Sequence, residues 1–197
     1  MKPYDIHKDF RFLKPIRFKK YTKTRLFFGN AVLKLTSFLT LPHMDVKRKH
    51  FKIQGYQNNF IKVSQYRLRK RKTPPKGMVC FYHGGAFQMR GTPIHIRLAS
   101  DLVMRTGYDV YYVHYRRMPK YPFPYGLYDS YEALKWAYNK TKSMTNEPFK
   151  CCVYGDSAGG NLAAAMTLLA RDLNGPKIDR QVLIYPVTSH LQDTKSV

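Results

Sequence analysis

The feature that most limits the fold of this chain is the alternation of strand-like apolar runs with helix-like segments from residue 78 onward. The runs of strand length are Met78–Tyr82, Tyr108–Tyr115, Phe149–Tyr154 and Gln181–Tyr185. The segments with helical spacing between them are Ile94–Thr106, Asp129–Lys140 and Ala158–Leu173. Continuous apolar runs indicate strands buried on both faces, and strand followed by helix predicts a mostly parallel sheet with flanking helices. We therefore expect an α/β fold.

The chain before residue 78 has a different pattern. Residues Phe51–Arg69 alternate in a strand-like way around the turn signal Gln57–Asn59, which predicts an antiparallel hairpin. Leu26–Leu41 has apolar residues close to helical spacing, and Pro42 is expected to end this helix. At 16 residues, interrupted by Lys34, the segment is shorter than the roughly 20 apolar residues that span a bilayer. A packed or interfacial helix is therefore expected.

The positive charge is concentrated in the N-terminal part of the chain. The formal net charge is +23, and residues 1–72 carry 20 Lys and Arg against 3 acidic residues, whereas residues 73–197 carry 15 against 9. This block fits a solvated face, contact with an anionic membrane surface, or nucleic-acid binding. Nucleic acid is the least favoured partner, because no zinc-finger spacing, RNA-recognition signature or heptad repeat accompanies the charge.

The cysteines and the N-terminus bear on the compartment. Cys80, Cys151 and Cys152 lie in apolar runs and cannot build a disulfide framework. Met1–Asp5 is not followed by the apolar core of a secretory signal. We expect a cytoplasmic protein, with peripheral membrane attachment as the alternative.

Two glycine-rich loops follow two of the predicted strands. The first has Ser157 at the centre of G-x-S-x-G, within Gly155-Asp156-Ser157-Ala158-Gly159, between a strand and an alanine-rich helix. A serine hydroxyl must be exposed on a tight turn to act as a nucleophile, and glycines at both ends permit that turn. The Ala158 amide can then point at a developing oxyanion. Ser157 is therefore the candidate nucleophile, and Asp156 is expected to be a packing and hydrogen-bonding residue.

The second loop, His83–Phe87, follows the strand Met78–Tyr82. Its glycines allow a close backbone approach, so the amides of Gly84, Gly85 and Ala86 are expected to form an oxyanion hole with Ala158. His83 is expected to orient this loop, and the alternative is that it acts as the base. Ligands of parallel sheets bind beyond the carboxyl ends of the strands, where both loops are predicted to lie.

Several separated blocks together resemble the hormone-sensitive-lipase-like branch of the α/β-hydrolases, the fold-3 group of lipases and esterases. The blocks are Phe81–Phe87, Tyr115-Arg116, Tyr121–Pro124, Asp129, Ala133–Trp136, Gly155–Leu162 and Leu183–Pro186. The resemblance implies an α/β-hydrolase-type sheet, hydrolysis of small carboxylic esters through an acyl-serine, and no metal or organic cofactor. It also implies an N-terminal helical cap, here residues 1–50, over a partial hydrolase core, residues 51–197. Ala86 stands where the family has a third glycine.

The remaining triad residues are not evident after Ser157. In this fold the acid and then the histidine follow the serine, and His190 is the one later histidine. Asp172 lies about 22 Å along the helix from Ser157, Asp179 is expected at the opposite end of the sheet, and Asp193 follows His190. We therefore expect no complete triad and a core that is incomplete at its C-terminus.

Two functions remain open at this point. The first is a carboxylic ester hydrolase of esterase or lipase type that is incomplete or inactive as this chain. The second is a noncatalytic binder of acyl ligands or membrane surfaces derived from a hydrolase. A fragment of a longer enzyme, a decayed gene product and a protein reused for binding are all compatible with the sequence.

Overall fold

The computed structural model describes residues 22–189 and Leu191. Within these residues, six strands form one sheet in the order β1-β2-β4-β3-β5-β6. The strands are β1 (Val46–Gln54), β2 (Phe60–Leu68), β3 (Gly77–Tyr82), β4 (Asp109–His114), β5 (Lys150–Asp156) and β6 (Arg180–Ile184). The helices are α1 (Lys23–Leu39), α2 (Pro93–Thr106), α3 (Tyr125–Lys142) and α4 (Ala158–Asp172). The expected α/β class is confirmed.

The predicted hairpin is also confirmed, since β1 and β2 pair antiparallel from Val46 opposite Leu68 to Gln54 opposite Phe60. The turn between them contains Gln57, whose φ of 54° lies in the left-handed region. β2 joins β4 antiparallel, and β4, β3, β5 and β6 run parallel to one another. The boundary expected after residue 50 falls inside β1, because the strand already begins pairing with β2 at Val46.

Two apolar layers cover the sheet. On one face α3 and α4 pack against strand side chains that include Met78 and Val153, and on the other face α2 packs against side chains that include Val79 and Phe81. Every residue of β3 is buried. Successive residues of this strand therefore contribute side chains to both layers, as the continuous apolar pattern of Met78–Tyr82 predicts.

The helix ends follow from local side chains. α1 begins three residues before the expected Leu26, because the Thr22 hydroxyl accepts the Arg25 N–H at 3.3 Å and caps the helix. α2 begins at Pro93 and ends at Thr106, where Gly107 caps it with a φ of 70°. α3 begins at Tyr125, directly after Pro124. This start is four residues earlier than the expected Asp129.

α1 contacts the rest of the chain more through its polar side chains than through its apolar ones. The Asn30 amide donates to the Gln88 carbonyl at 3.2 Å, and the Ser37 hydroxyl donates to the Gly91 carbonyl at 3.1 Å. Phe27 and Phe38 are 70% and 77% exposed. No helix within residues 22–189 combines the length and apolarity needed to cross a bilayer. Residues 1–21 of the expected cap lie outside the described residues.

Candidate active site

Ser157 occupies a strained turn between β5 and α4. Its φ of 51° and ψ of −119° lie outside the regions that ordinary side chains favour. Neighbouring backbone groups hold this turn: the Ser157 N–H donates to the Ile184 carbonyl at 2.9 Å, and the Ser157 carbonyl accepts the Val187 N–H at 3.2 Å. Residues 184–187, at and after the end of β6, thus hold both the N–H and the carbonyl of Ser157.

The glycines of G-x-S-x-G are required by close backbone contacts. A Cβ at Gly155 would overlap the Gly159 carbonyl oxygen, and a Cβ at Gly159 would overlap the Tyr82 carbonyl oxygen. Gly160 is tight as well, because a Cβ there would lie 3.0 Å from Pro186 Cα. The supporting roles expected for Gly155 and Gly159 thus have a steric basis. α4 meets the end of β3 so closely that only glycine fits between them.

The loop after β3 takes left-handed torsions at successive residues. Gly85, Ala86 and Phe87 have φ values of 126°, 51° and 57°. The Gly85 carbonyl accepts the N–H groups of Gln88 and Met89 at 2.9 and 2.8 Å, which closes the loop. Ala86, the position where the family pattern has glycine, therefore holds a positive φ despite its Cβ. The loop pays a conformational cost but keeps its turn.

The carboxylate of Asp156 joins the two loops. Asp156 Oδ1 accepts the Gly84 N–H at 2.9 Å, and Asp156 Oδ2 lies 3.1 Å from His95 Nε2. Because His95 Nδ1 accepts the Thr92 N–H at 2.8 Å, Nε2 carries the proton and donates to Asp156. Burial alone raises the pKa of Asp156, but the hydrogen bonds from His95 and Gly84 outweigh it and lower that pKa. Asp156 thus acts as a connecting acceptor, the role expected from its position.

This contact corrects one residue of the expected oxyanion hole. The Gly84 N–H is already engaged with Asp156, so it is not free to bind an oxyanion. The amides of Gly85, Ala86 and Ala158 have no acceptor among the described residues. Ala158 is also the first residue of α4, where backbone N–H groups lack helical partners and the helix dipole is positive. Of the four amides expected in the oxyanion hole, those of Gly85, Ala86 and Ala158 thus remain available as donors.

His83 is buried in a stack of aromatic rings. Its ring lies 4.7 Å from that of Tyr115 and 5.6 Å from that of Tyr112, nearly parallel to both. His83 Nδ1 donates to the Gly84 carbonyl at 2.7 Å, and Tyr115 donates its hydroxyl to the His83 carbonyl at 2.7 Å. Burial lowers the pKa of His83 to about 3. These contacts favour the orienting role over the alternative of a general base.

His95 is the residue that sequence reasoning missed. It lies at the third position of α2, where it completes a reciprocal capping arrangement with Thr92. In the sequence, Thr92 lies directly before Pro93 and three residues before His95, and this pattern indicates the start of a helix. Nothing in the local sequence indicated that the other ring nitrogen would reach Asp156, 61 residues later.

The acids that follow Ser157 are engaged elsewhere. Asp179 accepts the Cys151 N–H at 2.9 Å and pairs with Lys150 at 3.2 Å, at the start of β5 and thus at the end of the sheet opposite to Ser157. Asp172 is the last residue of α4 and pairs with Arg171. His190 and Asp193 lie outside the described residues. Within the described residues, no group of three or more His, Cys, Asp or Glu is arranged to hold a metal ion.

A small apolar cavity lies one helical turn from Ser157. Its volume is about 210 Å³. Its walls include Phe87 of the oxyanion loop and Asn161 and Leu162 of α4, together with Phe123 and Leu127. The Asn161 N–H donates to the Ser157 carbonyl at 3.1 Å, so this wall of the cavity lies one helical turn after the serine.

Comparison with known proteins shows which family combines these features. Residues 79–197, more than half of the chain, match the family model described as the alpha/beta hydrolase fold. The chain belongs to this family. The match covers both glycine-rich loops, so the hydrolase resemblance drawn from the motifs is confirmed.

Relatives of this hydrolase-family chain include named esterases. It is 39% identical over 111 residues to carboxylesterase NlhH of Mycobacterium tuberculosis, an alignment that covers 56% of this chain and 35% of the relative. It is 35% identical over 131 residues to an arylesterase of Saccharolobus solfataricus, which covers 64% of this chain and 42% of the relative. The chain thus matches less than half the length of these two curated relatives.

Solved structures give the same assignment of fold. A thermostable esterase from Pseudomonas putida superposes with a TM-score of 0.74 at 28% identity, covering 87% of this chain and 53% of that one. An esterase from the archaeon Pyrobaculum calidifontis superposes with a TM-score of 0.71 at 29% identity, covering 88% and 55%. Both comparisons extend beyond residues 79–197 and therefore include elements of the N-terminal part.

Proposed function

We propose that this chain carries the acyl-nucleophile half of a carboxylic ester hydrolase site, with Ser157 as the nucleophile. The strained Ser157 turn beside free amides of Gly85, Ala86 and Ala158 is the observation that supports this function most strongly. Such donors stabilise the charge that develops on an ester carbonyl oxygen during attack, and removing one typically lowers the rate by about 10²–10³. The esterase relatives support ester chemistry at this position.

The proposed substrates are small acyl esters. The cavity beside Ser157 is about 210 Å³, smaller than the roughly 300–1,000 Å³ of typical small-molecule pockets. Its walls are mainly apolar and suit an acyl chain, and the charged side chain among them, Arg116, is paired with Asp129. We expect short acyl chains to be preferred over long ones. No metal or organic cofactor enters the proposed chemistry, because acyl transfer to serine needs a nucleophile, a base and oxyanion donors.

We further propose that these 197 residues turn over esters poorly by themselves. Among the described residues, no histidine is hydrogen-bonded to the Ser157 hydroxyl, and His83 and His95 are engaged in other contacts. Serine hydrolases deprived of triad members keep only the contributions of oxyanion binding and substrate binding. Ester turnover should therefore fall orders of magnitude below the roughly 10 s⁻¹ of a typical enzyme.

A fluorophosphonate probe read by intact mass tests the nucleophile. We expect slow formation of one adduct on the full chain, no adduct on Ser157→Ala, and an unchanged adduct on Ser143→Ala, a matched serine at the exposed end of α3. Turnover of p-nitrophenyl acetate and p-nitrophenyl dodecanoate then tests the substrate size. A folded protein that remains unlabelled, or one labelled equally after Ser157→Ala, would contradict the proposal.

The rival function, noncatalytic binding to a membrane surface, is favoured by one observation. α1 exposes Phe27, Phe28 and Phe38 in a part of the chain that is rich in lysine and arginine. Apolar side chains beside basic ones are typical of helices that lie in a membrane interface. Cosedimentation with phosphatidylserine vesicles but not with phosphatidylcholine vesicles, by a protein that the probe leaves unlabelled, would support this rival.

A further inference from the structure

A second cavity lies on the other side of the oxyanion loop, between α1 and the sheet. Its volume is about 520 Å³, within the range of small-molecule sites. None of Ser157, Gly85, Ala86 and Ala158 lines it. We call it the α1 cavity. Its lining residues also differ from those of the cavity lined by Phe87 and Asn161.

Basic side chains from four parts of the chain line the α1 cavity. Lys34 comes from α1, Arg48 and Lys62 come from the β1-β2 hairpin, and Arg90 and Arg117 come from the loops after β3 and β4. No acidic side chain of the described residues lines it. Burial and the nearby Arg90, Arg48 and Lys34 lower the pKa of Lys62, as expected where positive charges face one another.

Two other arginines of the molecule are paired with buried acids. Arg116 is enclosed and pairs with the buried Asp129 at 2.7 Å, and Arg71 pairs with the buried Asp109. Arg117 donates through Nη1 to the Tyr115 carbonyl at 3.3 Å, and its Nε is buried without a hydrogen-bond partner among the described residues, as is Nη1 of Arg116. Since no acidic side chain of the described residues lines the α1 cavity, an external anion would supply the counter-charge of its cations.

The floor of the α1 cavity adds neutral hydrogen-bonding groups. Ser64 Oγ lies 2.8 Å from His50 Nδ1 and 2.7 Å from His114 Nε2. Burial, and then the charge of Lys62, holds the pKa of His114 well below its ordinary value, so the ring is neutral at pH 7. The floor therefore offers polar contacts beside the cations without adding another charge.

The roof of the cavity is apolar. Leu35 and Phe38 of α1 line it, as does Ile96 of α2. Leu35 is 60% exposed, so part of this apolar wall is uncovered. An inorganic anion would neutralise the cations and leave the apolar wall in water. A molecule with an anionic head and an apolar body would cover both surfaces.

We propose that the α1 cavity is a second binding site, which takes an amphiphilic oxyanion with its head against Lys62, Arg90 and Arg117 and its apolar chain against α1. Carboxylates and phosphates share the required head chemistry, since both accept several charge-assisted hydrogen bonds. The proposal does not depend on catalysis by Ser157.

Titration calorimetry with the full-length Ser157→Ala chain tests this site. The ligands are decanoate and decyl phosphate, which separate a fatty carboxylate from a phosphate ester, with decanol and inorganic phosphate as partial ligands. We expect at least one of the two amphiphilic anions to bind, and both partial ligands to bind at least about tenfold more weakly, because decanol lacks the charge-assisted hydrogen bonds and inorganic phosphate lacks the apolar contact.

Variants locate the binding. Lys62→Met and Arg90→Met should each weaken binding about tenfold, and Lys62→Arg should retain it. Lys49→Met is the matched control: it lies in β1 between Arg48 and His50, does not line the cavity, and should bind as the parent does. Thermal melting verifies that each variant folds. Equal binding by all variants, equal binding of decanol, or no binding of either amphiphilic anion would overturn the proposal.

Discussion

Ala86 and Ser157 hold backbone conformations that side chains disfavour, on the two loops that face each other across the candidate site. The φ of each is 51°. For Ser157 the torsion presents the hydroxyl, and close contacts of Gly155 and Gly159 enforce it. For Ala86 the torsion belongs to the loop that supplies amides. Strain of this kind persists only where the surroundings determine the conformation, as at functional sites.

Ala86→Gly should stabilise the protein by about 0.5–1 kcal/mol. Glycine removes the penalty of a Cβ at positive φ, and the greater freedom of the unfolded chain offsets part of that gain. Urea unfolding measures the change. Ala164→Gly in the middle of α4 is the control, and it should destabilise by about 0.5–1 kcal/mol because its backbone is helical. A loss of stability in Ala86→Gly would show that the torsion carries no penalty.

For single residues, the sequence indicates which ones are candidates for chemistry but not which hydrogen bonds connect them. G-x-S-x-G identified Ser157 because the spacing of its glycines has a direct steric meaning. The engagement of Gly84 by Asp156, and of Asp156 by His95, depends on contacts between residues 61 or more positions apart. No local pattern encodes such contacts, so the sequence could not indicate that the Gly84 N–H is already engaged.

The elements themselves were largely predictable, because each has a clear periodicity and a clear end. β3 is buried on both faces and has an unbroken apolar run, whereas β2 alternates between exposed and buried residues from Phe60 to Val63. The start of α3 was placed too late, because Tyr125–Tyr128 has little apolar periodicity. That turn is held by tertiary contacts, including stacking of Tyr56 on Tyr128 with ring centroids 4.8 Å apart.

Asp129 connects α3 to the loop after β4 and to the hairpin turn. Its carboxylate accepts Arg116 Nε at 2.7 Å and the Tyr56 N–H at 3.0 Å. Asp129→Ala should destabilise by about 3–5 kcal/mol, because it leaves an enclosed guanidinium without a counter-charge. Thermal and urea unfolding measure the loss. Glu132→Ala, which breaks the more exposed pair with Lys135, should cost no more than about 1 kcal/mol. Similar losses in both variants would contradict this account.

Across the whole molecule, histidines kept neutral by burial make stability depend on pH. Burial lowers the pKa of His83 to about 3, and it also lowers the pKa values of His50 and His114. In the unfolded chain these rings titrate near about 6.5. Below that pH the unfolded state binds more protons than the folded state, so the free energy of unfolding decreases as the pH falls.

Urea unfolding at pH 7, 6 and 5 tests this dependence. Between pH 6 and 5, each histidine that stays neutral in the folded state contributes up to about 1.4 kcal/mol per pH unit. His83→Phe should reduce the pH dependence of the free energy of unfolding by the contribution of about one proton, whatever its effect on stability at pH 7. An unchanged slope in that variant would show that the buried ring accepts a proton without penalty.

The hydrogen bonds between Ser157 and the segment around β6 also affect how long the Ser157 conformation lasts. Both the N–H and the carbonyl of Ser157 bond to residues 184–187, and β6 pairs with β5 alone among the described strands. The serine turn therefore cannot relax from its strained torsions until these bonds break. The Ser157 conformation is thus expected to last only as long as β6 stays paired with β5, a kinetic property that its static geometry does not show.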